Sequence, residues 1–372
     1  MGFFNKLNKK LTIKWIFVRK LVTTNINKNR NYFEKNENNL NNALNLKLSE
    51  DINLSQKKLS KSIELFLKKN HFDIKDLSNI ISGKIISNKR GTVPEEYQKL
   101  LVNLYSTSNG LFQKLFNNFI FKDFNYKNNK NIIKSPFLND ISSKEINDIV
   151  QSIRNEGYFV LSQKLDLNFI DNIINWSKKL KYNIINFEEK REQNQTIDFL
   201  NPNCVQASVS SEDLARNEDI KSLIKDPILL KIVSSYLEVN HPYMSGANLW
   251  WSFKNKNNLS SSEAAQEFHF DLDSIKWLKI FIYFTDVTEN NGPHTYIPGS
   301  HVEGMKSNRL LSEGYKRISE KEMSIHQQIM PKKIMGKKGT IIIGDTKCFH
   351  KGNPILSGSR LMFQLQYCSG KI

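Results

Sequence analysis

The stretch QEFHFDLDS, residues 266–274, places one of only seven histidines between two phenylalanines and follows it with two acids at alternate positions. In an extended strand His269, Asp271 and Asp273 face one way, and Phe268, Phe270 and Leu272 face the other. An imidazole and a carboxylate two residues apart on one face can hold a single metal ion. A hydrogen-bonded surface pair would have the same spacing, so a third ligand from elsewhere is needed to separate the two readings. His350, in GTIIIGDTKCFHKGNP, follows a strongly β-forming run and precedes a Gly-Asn-Pro turn, which puts it near a strand end. His269, Asp271 and His350 would make a two-histidine, one-carboxylate set, which leaves coordination positions open and suits non-haem Fe(II). Ten residues further on, Arg360 opens the run RLMFQLQY. Two neighbouring antiparallel strands joined by a turn would set His350 and Arg360 side by side. An arginine reaching into an apolar interior favours a carboxylate held in a two-pronged pair.

The elements that must position these residues are short strands. After Pro242 the segments ANLWWSF, FHFDLD, WLKIFIYFTDV, TYIPGS, GTIIIGD and RLMFQLQYC alternate with Gly, Pro, Asn and Ser, the pattern of a β-sandwich or barrel. Before them, SSKEINDIVQSIRNEGYFVL reads as a helix capped by Ser142 or Ser143, a turn at Gly157 and a strand. LDLNFIDNIINWSKKL reads as an amphipathic helix, and EDIKSLIKDPILLKIVSSYL as two short ones. Residues 141–372 are therefore expected to fold as one α+β domain, with helices packed around a C-terminal jelly roll. Residues 1–140 form a separate, mostly helical N-terminal extension in this reading. It has a polar, Asn-rich start over residues 1–50, helical patterns from 50 to 120, and a linker ending at Pro136.

Charge follows the same division. The chain carries a formal net charge of +17, and residues 1–140 hold 25 Lys and Arg against 11 Asp and Glu. This region could make weak contact with acidic membrane lipid. No aromatic residues interleave with the basic ones in a recognisable nucleic-acid module, so nucleic acid is not the expected partner. Three cysteines without a CxxC pair argue for a reducing compartment. The short apolar run WIFV is not a secretion signal, and no run approaches the roughly 18–20 apolar residues a membrane span needs. The expected location is the cytoplasm.

The blocks FHFDLD, FIYFTDVTENNGPHTYIPGSH and GDTKCFHKGNP…SGSRLMFQLQY, in this order and spacing, resemble the phytanoyl-CoA dioxygenase family of Fe(II)/2-oxoglutarate oxygenases. The resemblance implies a cupin-like double-stranded β-helix. It implies that His269, Asp271 and His350 bind Fe(II) as a facial triad and that Arg360 binds the distal carboxylate of 2-oxoglutarate. The cosubstrate and O2 would be consumed with release of succinate and CO2, and an unidentified small molecule or conjugated metabolite would be hydroxylated. Some relatives that halogenate carry a small residue at the carboxylate position; Asp271 there favours hydroxylation. The position two after the distal histidine, where a hydroxyl can help hold the cosubstrate, is Gly352. Asn248 and Trp250 share a strand face and are the further candidates for cosubstrate contact. Asp273 is expected to pair with Lys276 or Lys279, His294 and His301 to line or support the pocket, and Cys348 to pack in the core.

Two other classes of function are compatible with parts of this pattern. One is a metal-binding jelly roll with different metal chemistry, against which Arg360 at its spacing argues. The other is a non-catalytic binding protein acting through the basic N-terminal region, against which the intact triad argues.

Overall fold

The computed structural model describes residues 95–108, 113, 132–256, 266–302, 305–306, 310, 317–326 and 329–370. The chain divides into two compact units, residues 1–122 with 371–372, and residues 123–370. In the first, helix α1 (Glu95–Ser108) buries Leu101, Leu104 and Tyr105, the i, i+3, i+4 face of its apolar pattern. The expected polar start, the helical patterns before residue 95 and most of the expected linker lie outside the described residues.

In the second unit, α2 (Ser143–Glu156) begins with a capping box. The Ser142 side chain accepts from the Glu145 backbone N–H, and the Glu145 carboxylate accepts from the Ser142 backbone. The helix buries Ile146, Ile149, Val150 and Ile153 and ends at Gly157 in the left-handed region. There follow β1 (Tyr158–Lys164), α3 (Leu167–Ser177), β2 (Tyr182–Asn186), β3 (Arg191–Gln195) and β4 (Cys204–Val209). Three further helices come next: α4 (Ser211–Arg216), α5 (Glu218–Ile224) and α6 (Pro227–Leu237). The remaining elements are β5 (Tyr243–Phe253), β6 (Trp277–Tyr283), β7 (His294–Tyr296), α7 (Glu320–His326), β8 (Lys332–Ile334), β9 (Thr340–Gly344), β10 (His350–Gly352) and β11 (Ser359–Cys368).

Eight strands form one antiparallel sheet in the order β1-β9-β6-β11-β5-β4-β2-β3, and β10-β7-β8 form a second. Phe281, Tyr283, Ile342 and Met362 of the large sheet pack with Tyr296 and Ile334 of the small one, so the core lies between the sheets. Every residue of β6 is buried. This strand is central in its sheet, and α6 packs against it as well as against α2, so both faces are covered and the sequence reads as a continuous apolar run.

Three features depart from the sequence expectation. Strands β2, β3 and β4 lie upstream of Pro242, where only helices and one strand were expected. FHFDLD is not a continuous strand: Phe268 bridges Ile318 and His269 bridges His350, while Asp271 hangs its backbone N–H on the Thr346 carbonyl at 2.8 Å. His350 and Arg360 are not strand neighbours. The turn between them carries the chain across the core, from β10 in the small sheet to β11 in the large one.

Candidate metal centre

The backbones of His269 and His350 exchange both hydrogen bonds, N–H to carbonyl at 3.0 and 2.9 Å. Directly opposed residues of an antiparallel pair point their side chains to the same face. The two rings accordingly lie with centroids 4.3 Å apart. His269 Nδ1 is 2.9 Å from the Glu267 carbonyl, and His350 Nδ1 is 2.9 Å from the Cys348 carbonyl. A carbonyl only accepts, so each Nδ1 carries the hydrogen and each Nε2 keeps its lone pair free. Those Nε2 atoms lie 3.9 Å from Asp271 Oδ1 and 3.6 Å from Asp271 Oδ2 respectively. One ligand atom from each of the three residues falls within 4.8 Å of the others, and all three side chains are buried.

The electrostatics hold the three groups in ligand form. Burial, and then the neighbouring His350, push the His269 imidazole well below its ordinary range; burial likewise lowers His350. Burial alone would raise the Asp271 carboxyl. The Lys279 ammonium and the two histidines outweigh it and hold the group ionised. Lys279 Nζ is 2.6 Å from Asp271 Oδ2 and 2.9 Å from Asp273 Oδ2. Two neutral imidazoles with lone pairs turned inward and one ionised carboxylate are the donor set of a mononuclear non-haem iron site.

The facing sheet supplies the counterpart. Register places Arg360 opposite Ser252, Met362 opposite Trp250, and Gln364 opposite Asn248 on β5; on β6 it places Met362 opposite Tyr283 and Gln366 opposite Lys279. These residues share one face of the sheet; on it Arg360 and Lys279 are buried, Trp250 is partly buried and Asn248 is exposed. Trp250 packs there, while Trp251 on the other face meets Phe199 and Phe253. Arg360 is buried. It donates to the Gly292 carbonyl and, at 3.2 Å, to Ser252 Oγ, and its Nε has no partner. Among the described residues no carboxylate pairs with it. Burial lowers its pKa.

Between Arg360 and the histidine pair lies His294. It stacks on His350 with centroids 5.6 Å apart, contacts the Phe281 and Tyr296 rings, and leaves both ring nitrogens buried without a partner. His301 is turned elsewhere: its Nε2 meets the Arg154 carbonyl at 3.1 Å and its Nδ1 the Cys348 Sγ at 3.3 Å, which ties α2 to the core. Cys204, Cys348 and Cys368 are buried and free. No helix among the described residues is long and apolar enough to cross a membrane. Two charged neighbours of the centre carried no motif in the sequence. Lys279 sits inside an apolar run, and Arg317 is remote in the chain, brought close by the bridge at Ile318.

Fold and site together define a candidate mononuclear non-haem iron centre. The phytanoyl-CoA dioxygenase family model matches residues 153–362, more than half of the chain, and the chain belongs to that family. Its cofactors are iron, 2-oxoglutarate and O2. No curated protein matches the sequence. Among solved structures, the chain is similar to EctD from S. alaskensis with bound Fe, at 17% identity over 63% of this chain and 80% of that one, TM-score 0.41. It is similar to HygX from Streptomyces hygroscopicus with nickel and 2-oxoglutarate bound, at 14% identity over 59% and 85%, TM-score 0.41. It is also similar to the epimerase SnoN in complex with Fe3+, alpha ketoglutarate and nogalamycin RO, at 14% identity over 60% and 83%, TM-score 0.42.

Proposed function

We propose that residues 141–372 form a double-stranded β-helix domain that hydroxylates a small molecule or conjugated metabolite, with release of succinate and CO2. The observation that carries this reading is the placement of an unpaired, buried Arg360 across the core from three converging ligand atoms. His269 and His350 would bind Fe(II) through Nε2, their orientation fixed by the Nδ1 bonds to Glu267 and Cys348. Asp271 would be the carboxylate ligand, with Lys279 holding it ionised.

Arg360 would take the distal carboxylate of 2-oxoglutarate, assisted by Ser252, with Asn248 and Trp250 on the adjoining wall. The Ser252 hydroxyl stands in for the one absent at Gly352. His294, between His350 and Arg360, would offer the cosubstrate a ring nitrogen. Bound iron and cosubstrate together supply the oxidising chemistry. The chain's task is to hold them, orient a C–H bond toward the metal and exclude water with the Phe281, Tyr283 and Tyr296 wall.

The test is anaerobic titration of metal-free protein with Fe(II) and then 2-oxoglutarate. The weak visible charge-transfer band of the chelated ferrous complex should form in wild type. It should be lost in His350→Ala, and in Arg360→Ala it should need at least tenfold more cosubstrate. Iron binding without a band would remove 2-oxoglutarate from the reading. Hydroxylation itself is read by succinate formed one-to-one with an oxygenated product.

A further inference from the structure

Resting on the oxygenase reading, we propose that Arg317 anchors an anionic group, a carboxylate or a phosphate, of the small-molecule substrate.

The placement comes from the backbone. Phe268 N–H donates to the Ile318 carbonyl at 3.1 Å, and Ile318 N–H donates to the Phe268 carbonyl at 2.8 Å. An antiparallel bridge between 268 and 318 sets residue 317 across from residue 269, on the same face. His269 has His350 on its other side. Arg317, His269 and His350 thus form one row across the inward face. Phe268 and Ile318 fill the opposite face, 2% and 1% exposed. The Arg317 charge reaches the metal-side imidazoles, disfavouring protonation of both His269 and His350.

A guanidinium in that position needs acceptors. Arg317 is partly exposed, yet its Nη1 is buried and makes no hydrogen bond. Among the described residues no carboxylate pairs with it. A buried donor left unmet is costly, and a planar fork of N–H groups is matched best by a carboxylate or phosphate. Among the described residues, the centre therefore has two guanidinium groups without an anion. Arg360 is fully enclosed, on the large sheet beside His294. Arg317 lies beyond His269, on the outer side of the row, and reaches solvent. The proposed cosubstrate gives its distal carboxylate to the enclosed arginine. The one open to solvent is left for the molecule that must enter and leave at each turnover.

The experiment uses the full chain with Fe(II) and 2-oxoglutarate under anaerobic conditions. Hexanoate, hexyl phosphate and neutral hexanol are titrated as probes, and perturbation of the visible charge-transfer band is followed. Wild type, Arg317→Met and Arg317→Lys are compared, with Arg317→Gln replacing the Met variant if that one does not fold. At least one anionic probe should shift the wild-type band where hexanol does not. Its half-saturation should rise at least tenfold in the Met variant and less in the Lys variant, and the 2-oxoglutarate titration should not change. The tighter of the two anions identifies carboxylate or phosphate. The proposal is overturned if hexanol matches the anions, if no anion moves the band, or if Arg317→Met leaves the anion titration unchanged. It is also overturned if that variant weakens 2-oxoglutarate as Arg360→Ala does, since Arg317 would then belong to the cosubstrate. A wild-type protein that forms no band with 2-oxoglutarate instead brings down the oxygenase reading, and the substrate anchor with it.

Discussion

Lys279 reaches from the inward face of the large sheet to Asp271, with Nζ 2.6 Å from Oδ2 and both side chains under a tenth exposed. Its second contact, Asp273 Oδ2 at 2.9 Å, makes it the charge balance for two acids of one short segment. Burial alone would drive Lys279 toward the neutral amine, but Asp271 and Asp273 outweigh it and keep the ammonium charged.

Removing that ammonium leaves the buried Asp271 carboxylate without its lysine counter-charge. Lys279→Met should destabilise the metal-free protein by about 3–5 kcal/mol, the usual cost of breaking a buried pair from one side. A divalent ion at the same carboxylate restores positive charge, so Ni(II) should raise the thermal midpoint more in the variant than in wild type. Equal midpoints for the two metal-free proteins would show that the contact is energetically idle.

His294 separates stability from binding. Its two unpartnered ring nitrogens are buried, and an unmet buried polar group costs ~1–3 kcal/mol. His294→Phe should melt no lower than wild type without ligands, because a ring of similar shape replaces it without the polar cost. Its 2-oxoglutarate half-saturation, read from the charge-transfer band, should rise about tenfold while the Fe(II) titration stays the same. An unaltered cosubstrate titration would take His294 out of the pocket chemistry.

Asp345 should govern acid stability. The Tyr236 hydroxyl donates to its Oδ2 at 2.5 Å, the Lys347 backbone N–H donates to Oδ1 at 2.9 Å, and the Lys347 ammonium lies 3.2 Å away. Burial pushes its pKa up, but the Lys347 and His301 charges and these bonds outweigh it and hold it below the ordinary carboxylate value. A folded value below the unfolded one means that the ionised group stabilises the fold. That contribution is complete above the unfolded value and is lost as pH falls through the folded value. Urea unfolding from pH 6 down to pH 3 should lose stability more steeply in wild type than in Asp345→Asn. Parallel slopes would assign the acid sensitivity to other carboxylates.

Gly157 is fixed by two constraints at once. Its φ is +83°, and a Cβ there would stand 2.0 Å from Cys348 Sγ, whose chain leads directly to His350. Gly157→Ala should cost more than about 1 kcal/mol, and Cys348→Ala in the same chain should recover part of it. A lone Gly157→Ala variant with an unchanged thermal midpoint would contradict the packing.

Much of the centre was legible before any fold was known. His269 and Asp271 are two residues apart, and His350 and Arg360 lie in strongly β-forming surroundings, so local pattern alone raised them, although the ten-residue spacing did not set the last two side by side. Ser142, Gly157 and the α3, α5 and α6 segments were legible for the same reason: caps, turns and helical periodicity are local chemistry. The strands before Pro242 were not. β3 reads REQNQ, a polar edge strand with no apolar alternation, and β4 is recognisable only by its pairing with β2 and β5. The helix SEDLAR is too short for its period to register.

The sequence by itself determined which side chains could ligate a metal and accept an anion, because those capacities belong to residue type and near spacing. It determined the helices α2, α3, α5 and α6 and the central strands as well, through capping and apolar runs. Only the tertiary structure decided which atoms meet. Backbone pairing of residues 81 apart set His269 against His350 and directed both Nε2 atoms inward. A crossing between sheets put Arg360 opposite the ligands instead of beside them. Register brought Lys279 to Asp271 and Arg317 to His269. These contacts depend on long-range antiparallel pairing, and a one-residue slip in any strand would turn the same side chains to the other face.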